Sequence, residues 1–179
     1  MIEFRRVTDQ LSVSPQITLE DLQRAADLGF KLVINNRPDG EDAAQPTSAQ
    51  VETAAKAAGL AYAYIPVRGG PTQDQVAQER SILENSEGPV LAFCRSGTRS
   101  IITWSLGEAM DGARSRDELV ELGQQAGYDL NGVLPASKVR AMAAKTGDHF
   151  WLSHSNQGMK WARGPRPAGP VRRARSWPS

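Results

Sequence analysis

The stretch that decides the fold reads Pro89-Val90-Leu91-Ala92-Phe93-Cys94-Arg95-Ser96-Gly97-Thr98-Arg99-Ser100. Its first five residues, preceded by Gly88, form a short apolar run of the kind found in a buried strand, and residues 99–110 carry a helical pattern. The chain's single cysteine stands on the Gly-containing turn between them. Such a turn faces a helix N-terminus, where unpaired backbone N–H groups and the positive end of the helix dipole stabilise an anion. A thiolate is an anion, and cysteines in such surroundings have pKa values lowered from about 8.5 into the range of roughly 3.5 to 7.5. Cys94 is therefore a candidate nucleophile, with a small buried strand-end cysteine as the structural alternative. Ser96, Gly97, Thr98 and Ser100 are small, hydroxylated or backbone-permissive and suit a loop wrapped around a tetrahedral oxyanion. Arg99 can bind that oxyanion through paired donors, and Arg95 adds to the field.

Outward from this stretch, strand and helix signals alternate. Leu11-Ser12-Val13-Ser14 reads as a strand ended by Pro15, and Thr18 with Asp21 opens a helix bearing Leu19, Leu22 and Ala26, which Gly29 stops. Lys31-Leu32-Val33-Ile34-Asn35 is a strand that leads into the turn Asn36-Arg37-Pro38-Asp39-Gly40, and Thr47 or Ser48 caps an Ala-rich helix ended by Gly59. Residues 62–67 form the next strand, followed by a loop over 68–71 and a helix over 72–84. This order predicts an α/β fold with a mostly parallel sheet covered on both faces and active loops at the carboxyl ends of its strands. Ser115 with Glu118 caps a further helix bearing Leu119, Leu122 and Ala126, and Pro135 opens another with Val139, Met142 and Ala143. Trp104 reads as core rather than as a substrate platform.

A chain of 179 residues with 40% hydrophobic and 23% charged content is long enough for one domain with a substantial core. No stretch approaches the roughly 18 apolar residues of a membrane span. Met1-Ile2-Glu3-Phe4-Arg5-Arg6 lacks the basic-then-apolar order of a signal peptide, so the expectation is a cytoplasmic protein. One cysteine excludes an internal disulfide and a multi-cysteine zinc site. His149 and His154, without an acidic partner, make a poor metal site, and no metal or other cofactor is expected. The net charge of +1 conceals a division: residues 147–179 hold six basic residues and one acid, against 15 and 19 in residues 1–146. Residues 1–146 are accordingly read as the catalytic domain. Residues 147–179 are read as a basic tail with Pro, Gly and Trp, not expected to be well ordered. The tail's functional reading is a basic arm that binds polyanions weakly, and its plainer one an extension of a domain that ends near Lys145.

Four segments, Ser12-Val13-Ser14-Pro15-Gln16-Ile17, Val33-Ile34-Asn35-Asn36-Arg37-Pro38-Asp39-Gly40, Tyr64-Ile65-Pro66-Val67 and the run from Phe93 to Ser100, carry a close resemblance. Over about residues 4–132 the chain resembles the phosphatase-like domain family of beta-lactamase-hydrolase-like proteins. The resemblance implies the fold of cysteine-dependent tyrosine and dual-specificity phosphatases, in a family whose members are called phosphatases or sulfur transferases. Some members are fused to a metallo-beta-lactamase-like persulfide dioxygenase, a domain absent from these 179 residues. The phosphatases place five residues between cysteine and arginine and often a histidine before the cysteine. Four residues separate Cys94 from Arg99, and Phe93 takes the histidine position. Four is the spacing of many rhodaneses, yet Asn35-Asn36-Arg37 replaces their Asp-Val-Arg strand end.

A phosphatase of this type needs an acid to protonate the leaving oxygen. Asp74, at the helix start before the catalytic strand, is one candidate and equally an ordinary first-turn acid. Asp39 is a second, as acid or loop-orienting group, or as a turn aspartate. Arg37 lines the same mouth or is solvated. Ser100 is a hydroxyl donor to the thiolate or a first-turn serine. The expected chemistry is attack of Cys94 on a small phosphorylated substrate. Arg99 and the amides around Arg95, Ser96, Gly97 and Thr98 would hold the oxyanion, and a covalent Cys94 intermediate would follow. The alternatives are sulfur transfer through a Cys94 persulfide and a non-catalytic oxyanion-binding module. Truncation after Thr146 is expected to leave the cooperative melt unchanged, because the tail's composition cannot offset its chain entropy. Thermal melts of the two proteins check this, and a lost transition would assign Phe150, Trp151 and Leu152 to the core.

Overall fold

Five strands and five helices make up the computed structural model, which describes residues 1–135. In chain order they are β1 (Arg5–Arg6), β2 (Leu11–Ser14), α1 (Leu19–Asp27), β3 (Leu32–Asn35), α2 (Ser48–Ala57), β4 (Ala61–Tyr64), α3 (Gln73–Glu84), β5 (Val90–Phe93), α4 (Thr98–Met110) and α5 (Arg116–Gln125). The sheet order is β1-β2-β5-β3-β4. β1 pairs antiparallel with β2, and the other pairings are parallel, as the alternation of strands and helices predicts. β5 is the central strand, with Phe93 level with Ser14 of β2 on one side and with Asn35 of β3 on the other.

The period of two along β5 divides the core. Val90 and Ala92 face Leu83, Ile101, Trp104 and Leu119 from α3, α4 and α5, while Leu91 and Phe93 face Leu22, Ala25, Val51 and Ala55 from α1 and α2. All four β5 side chains are buried, the condition of a strand covered on both faces. Trp104 is 5% exposed and belongs to this core. No helix among the described residues is long and apolar enough to cross a membrane.

Local capping sets most helix starts. Thr18 with Asp21, Thr47 with Gln50, Thr72 with Gln75 and Ser115 with Glu118 each form a reciprocal capping box. α4 differs, beginning at Thr98 behind a glycine with no side-chain cap, one residue before the expected start. β4 is shorter than the expected 62–67 because Pro66 has no N–H to continue the ladder. Ile65 and Val67 still donate their N–H groups to the Asn35 and Asn36 carbonyls at 2.9 Å. β1, of two residues, is too short to show a period and was not anticipated. The helix expected from Pro135 lies outside the described residues.

A buried acid ties α3 to the end of β3. Glu79 is 0% exposed, and its Oε2 accepts a hydrogen bond from Asn36 Nδ2 at 2.9 Å. Asn36 Nδ2 also donates to the Ile65 carbonyl at 3.2 Å, and the Asn36 backbone N–H donates to the Phe93 carbonyl at 2.8 Å. Burial pushes the Glu79 carboxyl up from 4.5 to about 8, the Asn36 bond opposing it. Glu79 Oε1 and Asn36 Oδ1 lack partners, and a protonated carboxyl carries the O–H donor that such a pair of acceptors requires. Between 4.5 and about 8 the folded state holds a proton that the unfolded state has released, so this group's contribution to stability falls as pH rises through that window. Glu79→Gln, neutral at every pH and able to donate and accept, is expected to flatten the melting temperature across it. Parallel slopes for wild type and variant would contradict a protonated Glu79.

Candidate active site

Cys94 is the first residue beyond β5, so the central position of that strand puts it between the carboxyl ends of β2 and β3. This is the place where open α/β sheets bind ligands. The Cys94 N–H donates to the Ser14 carbonyl at 3.4 Å, and the Gln16 N–H donates to the Arg95 carbonyl at 3.2 Å, lacing the turn to the end of β2. Gly97 takes φ +88°, a left-handed conformation that a side chain would strain. Its N–H reaches Cys94 Sγ at 3.1 Å. The N–H groups of Thr98, Arg99 and Ser100 in the first turn of α4 have no i−4 carbonyl within the helix, the N-cap glycine offers no side chain to them, and the Thr98 N–H donates to Ser96 Oγ at 3.4 Å. Cys94 itself is fully buried. Ser96 and Thr98 are exposed and linked Oγ to Oγ1 at 2.9 Å. Ser100 is fully buried, and its Oγ has no hydrogen-bond partner among the described residues, Cys94 included. An unpaired buried hydroxyl costs about 1–3 kcal/mol.

Arg99 carries five N–H donors. Nη1 donates to Glu41 Oε2 and to the Val67 carbonyl, and Nη2 donates to Glu41 Oε1, each at 2.8 Å. The end of the guanidinium is thus committed to protein acceptors, and hydrogen bonding with Cys94 acts on it as well. Hydrogen bonding to Glu41 does most to raise the Arg99 pKa above its ordinary value; burial opposes it, and the charge on Cys94 adds to the rise. Glu41 also accepts from Arg37 Nε at 3.0 Å, and Arg37 Nη1 donates to Gln16 Oε1 at 2.9 Å. Two guanidinium groups hold the Glu41 carboxyl down at about 2, the Arg99 hydrogen bond being the largest cause.

The residues singled out in the sequence separate accordingly. Cys94 through Ser100 share one turn. Arg37 is not solvated: its side chain is 5% exposed, and it joins the site through Glu41. Asp39 serves the start of α2, its Oδ1 accepting the Ser48 N–H at 2.7 Å while its own N–H donates to the Tyr64 hydroxyl at 3.0 Å. Asp74 is exposed in the first turn of α3, with no side-chain partner among the described residues. Arg95 and Arg68 are exposed at the ends of their strands. His149 and His154 lie outside the described residues. Four contributors escaped the sequence reading: Glu41, the Val67 carbonyl, Gln16 and Tyr128, whose hydroxyl donates to the Ser96 carbonyl at 2.9 Å. For Glu41 a signal existed, an acid four residues after Arg37. For Gln16 and Val67 the sign was their place in segments that carry the family resemblance, and for Tyr128 there was none.

Residues 3–111 match the family described as beta-lactamase hydrolase-like protein, phosphatase-like domain. The chain belongs to this family. It is 38% identical over 126 residues to a beta-lactamase hydrolase-like protein of Agrobacterium fabrum, an alignment covering 70% of this chain and 29% of the relative. A homologue in Xylella fastidiosa is 35% identical over 76% of the chain and 32% of its own length. The chain thus spans about a third or less of these curated relatives. Among solved structures it is similar to a candidate phosphatase from Neisseria meningitidis at 34% identity, with a TM-score of 0.65 and coverage of 72% of this chain and 92% of that one. Phosphatases at lower identity share the fold: a kinase associated phosphatase, solved with its catalytic-site cysteine replaced by serine, superposes with a TM-score of 0.56 at 13% identity, covering 83% of this chain and 97% of its own. The fold is that of the cysteine-dependent phosphatases.

The pairing of Glu41 with two arginines carries a pH signature opposite to that of Glu79. A carboxyl lowered from 4.5 to about 2 on folding contributes stability that is present above 4.5 and lost as pH falls towards about 2. Glu41→Gln is expected to lower the melting temperature at neutral pH and to reduce its decline through that acid window. Melts from neutral to acid pH check it, and a variant as acid-sensitive as wild type would show that the pair stores no such energy.

Proposed function

We propose that the protein hydrolyses phosphate monoesters through a covalent Cys94 intermediate. The observation that carries this reading is the placing of Arg99 beside Cys94: Glu41 and the Val67 carbonyl hold three of its donors, and the guanidinium interacts with the cysteine by hydrogen bonding and by charge, where an oxyanion on the sulfur would meet it. In the first step the Cys94 thiolate forms an S–P bond as the P–O bond to the leaving group breaks, and an acid supplies the leaving oxygen's proton. In the second, water attacks phosphorus, the S–P bond breaks, and inorganic phosphate leaves with the thiolate restored. Charge growing on the equatorial oxygens is met by Arg99 and the first-turn amides of α4. For the acid we favour Asp74, because Asp39 already accepts the Ser48 N–H. Membership of a family named for its phosphatase-like domain supports the reaction class.

Sulfur transfer is the second reading, favoured by the four-residue spacing from Cys94 to Arg99. There Cys94 would take the outer sulfur of thiosulfate, releasing sulfite, and pass it to an acceptor thiolate. Rapid acid quench followed by intact mass, with an aryl phosphate or with thiosulfate, separates the two. The phosphatase reading expects one added phosphoryl group from the ester, steady release of phosphate, and loss of both in Cys94→Ser. A stable added sulfur from thiosulfate with no phosphoryl-enzyme would favour the transferase, and no adduct from either would leave an oxyanion-binding module. Arg99→Lys, which offers a point charge in place of the planar fork, is expected to lose about 10²–10³ in kcat.

A further inference from the structure

The peptide between Ser96 and Gly97 has a group at each end that reports its orientation. It is trans, as are all the peptides described, so the Ser96 carbonyl and the Gly97 N–H point to opposite sides of one plane. On one side the Tyr128 hydroxyl donates to the Ser96 carbonyl at 2.9 Å. On the other the Gly97 N–H meets Cys94 Sγ at 3.1 Å. Gly97, at φ +88°, is the hinge about which such a plane rotates most easily, since glycine tolerates both signs of φ. Gly97 has no side chain to oppose that rotation, and Ser96 Oγ makes its bonds to Thr98, donating to its Oγ1 at 2.9 Å and accepting its N–H at 3.4 Å, not to the peptide itself. A flip would break the Tyr128 bond and turn a carbonyl oxygen, with its negative end, towards the sulfur.

We propose that Tyr128 is a positioning residue for the nucleophile, holding the Ser96–Gly97 peptide in the orientation that directs an N–H donor, and not a carbonyl, at Cys94. Tyr128 lies beyond α5, 34 positions after the cysteine, and reaches the turn only through the tertiary fold. Its placement is specific. A Cβ built on Gly97 would collide with the Tyr128 hydroxyl, so the absence of a side chain at 97 and the presence of the hydroxyl at 128 are two halves of one contact. Arg5 of β1 stacks over the Tyr128 ring, 5.1 Å from its centroid, and fixes it from behind. Burial raises the Tyr128 pKa, so the phenol keeps the proton it donates throughout the neutral range. Other charged groups acting on the sulfur or on Tyr128 are Arg99 from α4, Glu41 behind Arg99, and Arg5. A Tyr128→Phe substitution leaves all three in place together with the ring, and removes only the hydrogen bond to Ser96.

This inference rests on the reading of Cys94 as a thiolate nucleophile, and the test is chosen to separate the two. Because Cys94 is the chain's single cysteine, the ultraviolet absorbance of the thiolate, taken as a difference from Cys94→Ser, follows its titration without requiring access to the buried sulfur. Losing a hydrogen bond to a charged acceptor corresponds to a shift of about one pH unit or more. Tyr128→Phe is expected to move the thiolate transition upward by that amount, and to lower kcat on an aryl phosphate about tenfold at pH values below both transitions. The kcat deficit should be recovered at pH values above both transitions. A merely structural role would depress kcat equally across the profile. The Gly97 amide resonance offers a second measurement in the wild-type protein, where it should titrate together with the thiolate. A wild-type thiol that titrates no lower than a free cysteine would overturn the nucleophile reading and this inference with it. A lowered wild-type transition unchanged in Tyr128→Phe, or a Gly97 amide indifferent to it, would overturn the inference alone.

Discussion

Parallel pairing on both edges of β5 is the constraint from which the rest of the site descends. With β2 bonded along one side and β3 along the other, the four-residue strand has no freedom of position, and its last residue ends level with Ser14 and Asn35. The chain must then leave the sheet in a turn, and a helix must start at once to cover the face where Val90 and Ala92 need Ile101 and Trp104. A left-handed glycine makes that turn tight enough to bend the backbone around its own cysteine. The donors that a phosphate or other oxyanion would meet are therefore a by-product of closing the core. The N-cap glycine of α4 has no side chain to cap the helix, and this departure from the four capped helices leaves its first turn to the Ser96 hydroxyl, which accepts the Thr98 N–H at 3.4 Å.

Charge around the turn is arranged in layers. Arg99 stands nearest the sulfur, Glu41 stands behind Arg99, and Arg37 with Gln16 stands behind Glu41. Each layer satisfies the one before it, so Arg99 has little rotational freedom left to lose on meeting an anion. One carboxylate between two guanidinium groups leaves a net positive centre while keeping each buried donor paired. The Val67 carbonyl closes the set, and it is held in place by the strand end that also receives Asn36. Thus the Glu79–Asn36 pair, although it touches no group of the turn directly, shares a backbone with the residues that aim Arg99.

The loop length places the protein between two chemistries. A four-residue interval between Cys94 and Arg99 makes a smaller ring of backbone donors than the five-residue interval of the tyrosine phosphatases, whereas the sheet order and the covering helices belong to the phosphatase fold. The matched family is one domain of longer proteins, since the chain covers 29% and 32% of two of its curated relatives.

Local signals carried much of this structure. The run from Pro89 to Ser100 specified strand, turn and helix from residue types alone, and Thr18, Thr47 and Ser115 marked helix starts because a capping hydroxyl acts within three residues of its own position. Lone apolar runs at β3 and β5 were legible for the same reason, since burial on both faces demands unbroken hydrophobicity. What escaped was everything fixed by distance along the chain. Arg37 and Arg99 are each readable as anion-binding cations, but that they share Glu41 follows only when β3 and β5 lie side by side. Asp39 reads as an acid, a loop-orienting group or a turn aspartate until α2 places the Ser48 N–H on it. Tyr128 carries no local mark at all, because a tyrosine beyond a surface helix becomes part of a cysteine's surroundings only when the fold brings it within 2.9 Å of the Ser96 carbonyl. Sequence by itself determined the strand, turn and helix around Cys94 and the alternation of elements that makes the sheet mostly parallel, since these depend on neighbouring residues. The partners that orient the turn and its arginine were decided by tertiary structure alone, because hydrogen bonds require proximity in space and proximity is what folding adds.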